Sequence, residues 1–221
     1  MKKDRSTTFW DRMARTYDRN TKVYENAYAL TIEKSMQYLT ETDSVLDIAC
    51  GTGIVTLEIA RVVKEVTALD ISPRMIEVIR EKAGARGINN IGCFAGEISD
   101  PALSGRSFDA VLLMNILHFI PKPGPFLDSV RALLKPDGYL LLASDCMAEK
   151  TSVPAALRNS VLKLLSSAGL LPFMDFLTEN ELTDMVCARG FSLLESSQVH
   201  PSPVNLFAAF RKISSNPITA N

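Results

Sequence analysis

Asp47, Gly51, Gly53 and Asp70 are the residues whose types and spacing suggest chemistry. Asp47 sits in an apolar run, Val45-Leu46-Asp47-Ile48, and a turn with two glycines follows at once, Ala49-Cys50-Gly51-Thr52-Gly53. Glycine takes φ > 0 freely and lets a ligand approach the backbone with no Cβ in the way. Asp70 ends a second apolar run, Val66-Thr67-Ala68-Leu69. An acid at the end of the second strand of a βαβ unit can accept both hydroxyls of a ribose. Glycine turn and ribose acid together imply a ligand that contains adenosine. A dinucleotide would ask for Gly or Ala where this chain has Thr56, and Asp47 is a poor neighbour for a pyrophosphate. Asp47 suits a ligand whose near end is cationic, an amine or a sulfonium. Its other reading is a structural acid that hydrogen-bonds the amides of its own turn, and the two are compatible.

The elements that must position these residues follow from periodicity. The apolar run, turn and amphipathic segment Ile54, Val55, Leu57, Ile59, Ala60, Val62 read as strand, turn and helix. That helix is expected to aim free N–H groups and its positive end at the turn. Ser72-Pro73 opens the next helix, a favoured N-cap followed by proline at the first position, with Met75, Ile76 and Ile79 on its apolar face. A short third strand, Ile91 to Ala95, leads to Gly96-Glu97-Ile98. The fourth strand, Ser107 to Asn115, is almost continuously apolar, as a parallel strand covered on both faces should be. In open α/β sheets ligands bind outside the carboxyl ends of the strands, so Asn115 and His118 belong on the rim of the site. A helix from Phe126 to Leu134, a turn at Lys135-Pro136-Asp137-Gly138 and a fifth strand, Tyr139 to Ala143, come next, with Asp145 beyond.

Phe9, Trp10, Met13, Ala14 and Tyr17 recur at helical spacing, and a second helix is expected from Tyr24 to Leu39. After the fifth strand, Val153 to Ala168 reads as a helix and Gly169 to Phe176 as an apolar loop. Thr178 with Glu181 forms a capping box for a helix to about Ala188. Leu193 to Val199 and Leu206 to Arg211 read as an antiparallel hairpin at the sheet edge. The fold class is α/β: a doubly wound, mostly parallel, seven-stranded Rossmann-like sheet closed by that hairpin. Residues 1–213 form one domain, with a helical insertion over residues 150–177 and a loose tail over residues 214–221. His200, in the hairpin turn, is expected to be solvated.

Val45 to Gly53 resembles the first motif of the class I S-adenosylmethionine-dependent methyltransferases, with Ala49 where many members have glycine. Leu69-Asp70-Ile71-Ser72 followed by Met75 resembles the second. Leu134-Lys135-Pro136-Asp137-Gly138-Tyr139 resembles the late LKPGG turn, with Asp137 for the first glycine. The likeness runs from Phe9 to Leu142. It implies S-adenosyl-L-methionine as cofactor, held by Ala49, Cys50, Gly51, Gly53, Asp70, Ile71 and Met75 together with Asp47 and Asn115. It also implies Glu97 and Ile98 at the adenine edge, where many members have Asp for Glu97. Phe9-Trp10-Asp11 to Tyr17-Asp18 resembles a segment that closes over the cofactor, making residues 1–40 a helical lid and Tyr17 a contact. Packing alone would equally explain the aromatics.

Methyl transfer needs positioning and, for many acceptors, a base. His118 is the candidate, by the ordinary pKa of imidazole; lining the groove passively is its alternative, and Asp145 faces the same region. The expected activity is methyl transfer to a small-molecule acceptor. An NAD(P)-dependent oxidoreductase and a non-catalytic S-adenosylmethionine-binding module stay open.

Composition narrows the partners. A net charge of −1 over 221 residues argues against a broad nucleic-acid surface. Cys50, Cys93, Cys146 and Cys187 show no C-x-x-C spacing, and with only His118 and His200 besides there is no metal pattern. Buried reduced thiols are expected for the first three. Neither a signal peptide nor an apolar run of the roughly 20 residues a membrane helix needs is visible, so a cytoplasmic protein is expected. The oligomeric state is open.

Overall fold

The computed structural model describes residues 5–149 and 153–214. Residues 1–4 of the expected lid, residues 150–152 at the start of the expected insertion and the segment 215–221 of the expected tail lie outside the described residues. One seven-stranded sheet has the order β3-β2-β1-β4-β5-β7-β6. Its strands are β1 (Ser44–Ile48), β2 (Glu65–Asp70), β3 (Ile91–Ala95), β4 (Phe108–Met114), β5 (Leu134–Asp145), β6 (Phe191–Pro201) and β7 (Val204–Lys212). The first five are parallel, and β7 pairs antiparallel with both β5 and β6. The doubly wound sheet and its edge hairpin are as expected.

Strand alternation divides the core. Leu46, Ile48, Val111, Leu113, Leu140 and Leu142 face one layer, packed on Leu127 and Val130 of α6 (Pro123–Leu133) and Leu182 and Val186 of α8 (Glu179–Cys187). Val45, Ala110, Leu112 and Leu141 face the other, packed on Ile76 and Ile79 of α5 (Pro73–Ala85). The Ser72 hydroxyl accepts from the Met75 amide at 3.1 Å, the expected cap. Thr178 and Glu181 form the expected capping box ahead of α8.

Three local expectations change. The helix after the glycine turn, α4, is only Thr56–Ile59. Asn90 explains the stop: its side-chain amide donates to the carbonyls of Ala60 at 2.7 Å and Val63 at 3.1 Å, which a longer helix would have used internally. A single turn carries little macrodipole, so that part of the sequence argument fails. The Lys135–Gly138 turn lies inside β5 as a bulge, opposite Phe108 to Ala110, with Asp137 at φ 59°. The N-terminal helical tract is broken into α1 (Arg5–Met13), α2 (Tyr17–Thr21) and α3 (Glu25–Met36), linked by short 3₁₀ turns. α7 (Val153–Ser167) follows β5.

Candidate functional site

A cavity of about 920 Å³ opens at the carboxyl ends of β1, β2 and β4. Ala49 and Gly51 form its floor, Asp70, Ile71 and Met75 one flank, and Gly96, Glu97 and Ile98 the far edge. Asn115 closes the β4 side. α1 and Tyr17 form a second wall through Phe9 and Trp10, and residues 163–176 supply a roof with Leu171, Met174 and Phe176. Nine of the expected cofactor residues are thus brought together, among them Tyr17.

The floor turn needs an unusual backbone. Ala49, Gly51 and Gly53 have φ of 61°, 55° and 80°. Ala49 therefore occupies the glycine conformation without being glycine, a strained choice for an L residue. The two glycines do different things. A Cβ at Gly51 would meet nothing within 4 Å, so this residue opens onto the cavity. A Cβ at Gly53 would lie 2.5 Å from Ile79 Cγ1, so this residue lets α5 pack on the turn. The sequence reading gave both glycines to ligand approach; packing is the reason for the second.

Asp47, Cys50 and Gly53 do not line the cavity but lie beneath its floor. Asp47 is 1% exposed, and burial pushes its carboxyl up to about 7. The Thr56 hydroxyl donates to Asp47 Oδ2 at 2.6 Å, while Oδ1 has no partner among the described residues. Asp47 is thus not bonded to the amides of its own turn; a side-chain hydroxyl from the following helix takes that place. Burial raises the Cys50 thiol well above its ordinary pKa, so it stays an unreactive thiol.

Asp70 takes over the turn amides. Its Oδ2 accepts from the Gly51 N–H at 3.0 Å and its Oδ1 from the Ser72 N–H at 2.8 Å. Burial raises its carboxyl to about 6 despite those two bonds. Each oxygen keeps acceptor capacity beyond that one bond, and Asp70 lines the cavity. The N-terminal tract is tied to the same region. Ser72 donates its hydroxyl to Asp11 at 2.6 Å, Thr52 donates its own to Asp18, and Lys82 pairs with Asp18 at 2.7 Å. Trp10 stands edge-on to Phe119, ring centroids 5.4 Å apart.

His118 is not brought to this cavity. It is 2% exposed, its Nδ1 lies 3.0 Å from Ser144 Oγ, and its ring faces a smaller chamber of about 180 Å³. Burial lowers its pKa against the opposing pull of Asp145 and Asp175, leaving a neutral imidazole. His200 is not solvated either: it is half-buried, packs on Tyr24 with centroids 5.1 Å apart and lines the same chamber. Sequence reasoning missed Tyr28, Phe119 and Asn205. Asn205 donates to Asn115 Oδ1 and Asp145 Oδ1, both at 2.7 Å. No local signal marks it, because its partners are distant in the chain. Among the described residues no cluster of three or more His, Cys, Asp or Glu could hold a metal.

Residues 45–138 match the family model described as a methyltransferase domain. This span carries the glycine turn, Asp70, Glu97 and Asn115. The chain carries a class I, S-adenosylmethionine-dependent methyltransferase domain. The ubiquinone biosynthesis O-methyltransferase of Xanthomonas axonopodis pv. citri is 31% identical over 159 residues, 69% of this chain. The chain spans 64% of that relative's length. The DhpI–SAH complex superposes with a TM-score of 0.71 at 23% identity, over 95% of this chain and 96% of that one. The 4+2 cyclase SpnF superposes at 0.68 with 14% identity, over 93% and 97%. These structural likenesses establish the fold of the methyltransferase domain and nothing of its acceptor. The nicotinamide alternative falls with the family assignment.

Proposed function

We propose that the chain binds S-adenosylmethionine along the cavity floor and transfers its methyl group to a hydroxyl of a small, largely apolar acceptor. The observation that carries this is the one continuous cavity of about 920 Å³, which runs from Asp70 and Glu97 to an apolar roof. The relatives' name as O-methyltransferases supports the choice of oxygen. The cofactor, when bound, supplies an already activated methyl group.

The donor set fits that cofactor. The free lone pairs of Asp70 suit the two ribose hydroxyls, and Ile98 beside Glu97 suits the adenine edge. Open space in front of Gly51 admits the chain of the ligand. The unpartnered Oδ1 of Asp47, just beneath, favours a cationic group above the floor. Cys50, Gly53 and Ala49 act by shaping the turn. Trp10, Phe9 and Phe119 exclude water, and Ile71, Met75, Tyr17 and Asn115 hold the geometry in which the acceptor meets the methyl group. We assign residues 1–40 as lid, residues 150–177 as roof, and residues 1–213 as the unit that works together. The cytoplasm is our compartment of choice because all four cysteines are unpaired thiols. Among the described residues no helix is long and apolar enough to cross a membrane.

Thermal-shift titration tests the reading. S-adenosylhomocysteine should raise the melting temperature, NAD(H) should not, and Asp70→Ala should lose most of the shift while staying folded. A shift with NAD(H) alone would overturn it. Turnover of S-adenosylmethionine over a panel of phenols, against a control without acceptor, tests catalysis.

A further inference from the structure

The smaller chamber adjoins the cofactor cavity: Trp10, Tyr17, Asn115 and Phe119 line both. The rest of its wall comes from separate parts of the chain. α3 gives Tyr28 and Thr31, the 3₁₀ turn after β4 gives His118, the end of β5 gives Asp145, and the β6–β7 hairpin gives His200 and Asn205. Protein interiors are close-packed, and buried polar groups normally use one another up. The chamber is partly open to solvent, and its polar side chains bond one another. Asn205 is engaged with Asn115 and Asp145, and His118 Nδ1 with Ser144. Tyr28 is hydrogen-bonded through its side chain to Tyr17 and Asn115, and His118, only 2% exposed, completes the wall.

The charge of the chamber is one-sided. Among the described residues no Lys or Arg lines it, and Asp145 is its one carboxylate. Burial keeps His118 neutral and raises both Tyr17 and Tyr28, so their hydroxyls keep their protons. The wall therefore offers the protonated hydroxyls of Tyr17 and Tyr28, the neutral His118 ring and the Asp145 carboxylate.

We propose that this chamber seats the polar head of the methyl acceptor, and that the head is a hydroxyl or an amine, never a carboxylate or a phosphate. This rests on the methyl-transfer reading and deepens it. An anionic head would lie beside Asp145 with no cation to offset it, in a site where burial weakens screening. A hydroxyl or amine can donate to Asp145, whose carboxylate oxygens keep lone pairs beyond the one that Asn205 uses. The apolar body of the acceptor then extends into the larger cavity, past Phe119.

Saturation-transfer NMR on the full chain, saturated with S-adenosylhomocysteine, tests this with four probes: phenol, benzylamine, benzoate and phenyl phosphate. Phenol and benzylamine should show transfer, and the two anions little. Asp145→Asn should raise the benzoate signal several-fold and lower that of benzylamine, with phenol little changed. Ala27 of α3 also lines the chamber, and Ala27→Leu, which fills it, should remove the phenol and benzylamine signals when compared with the parent at saturating S-adenosylhomocysteine. An unchanged phenol-to-benzoate ratio in both variants overturns the proposal. If S-adenosylhomocysteine itself fails to bind, the methyl-transfer reading fails first; if it binds and the probes ignore both substitutions, only the chamber assignment fails.

Discussion

Thr56 holds Asp47 by one oxygen. Its hydroxyl donates to Asp47 Oδ2 at 2.6 Å, and Asp47 Oδ1 is left buried without a partner among the described residues. This accounts for a threonine where a dinucleotide site would place glycine or alanine: the side chain satisfies half of a buried carboxylate. Thr56→Val keeps the shape and removes the donor, so both oxygens become unpartnered. The cost should be about 1–3 kcal/mol, read from the urea midpoint of the ligand-free protein. A variant as stable as the parent would show that Asp47 is satisfied by other means.

The two buried acids give a pH signature. Burial raises Asp47 to about 7 and Asp70 to about 6 in the folded chain. Both acids titrate near 4 when unfolded, so over that window the folded state binds more protons than the unfolded one. Their contribution to stability is therefore full below about pH 4 and is lost as pH rises through 6 and 7. Asp47→Asn should flatten this decline and stabilise the ligand-free protein at pH 8. The same variant should weaken S-adenosylhomocysteine at pH 8, where the parent presents the charge. Melting curves from pH 4 to 8 check the sign: a parent whose ligand-free stability climbs steadily across the window would contradict it unless other groups outweigh the pair, and Asp47→Asn separates those cases.

Gly51 and Gly53 should separate stability from binding. Gly53→Ala must both displace Ile79, 2.5 Å from the new Cβ, and hold φ near 80°. Left-handed backbone alone costs an L residue about 1–2 kcal/mol, and the clash adds to it. Gly51→Ala meets the backbone cost only, since its Cβ would touch nothing. That Cβ instead enters the space proposed for the ligand. Gly53→Ala should thus lower the melting temperature more, while Gly51→Ala should lose more S-adenosylhomocysteine affinity, at least ten-fold. Equal losses of affinity at matched stability would remove the distinction.

How much of this was legible in the sequence depended on distance along the chain. Strand runs, the Ser72 cap and the Thr178–Glu181 box are local signals, and each appears where the residues put it. Ala49 at φ 61° and Asp137 at φ 59° show why positions matching family glycines could be recognised without glycine: the backbone conformation is retained. The short α4 was not legible, because its end is set by Asn90, some thirty residues on. The partner of Asp47 was open to reading only in part, since Thr56 drew attention as a misfit and not as a donor. His118 was placed on the rim by the strand-end rule, but the rule does not say which of two neighbouring cavities a rim residue faces. Only β7, bringing Asn205 beside Asn115 and Asp145, reveals that the second one exists.

Trp10 makes the lid measurable. It is the single tryptophan of the chain, lines the cofactor cavity and meets Phe119 edge-on at 5.4 Å. Binding of S-adenosylhomocysteine should therefore shift its emission. Asp18 ties the lid to the floor turn through Thr52 and to α5 through Lys82 at 2.7 Å. Its side chain is 49% exposed, so the ion pair adds little to global stability, less than about 1 kcal/mol. The contacts nonetheless hold the segment that we propose as a lid, whose movement would release the ligand. Asp18→Ala should leave the melting temperature of the ligand-free protein nearly unchanged and speed S-adenosylhomocysteine release several-fold, followed by stopped-flow Trp10 fluorescence. An unchanged release rate in a folded variant would mean that the N-terminal tract packs on the sheet as a fixed wall and does not gate the site.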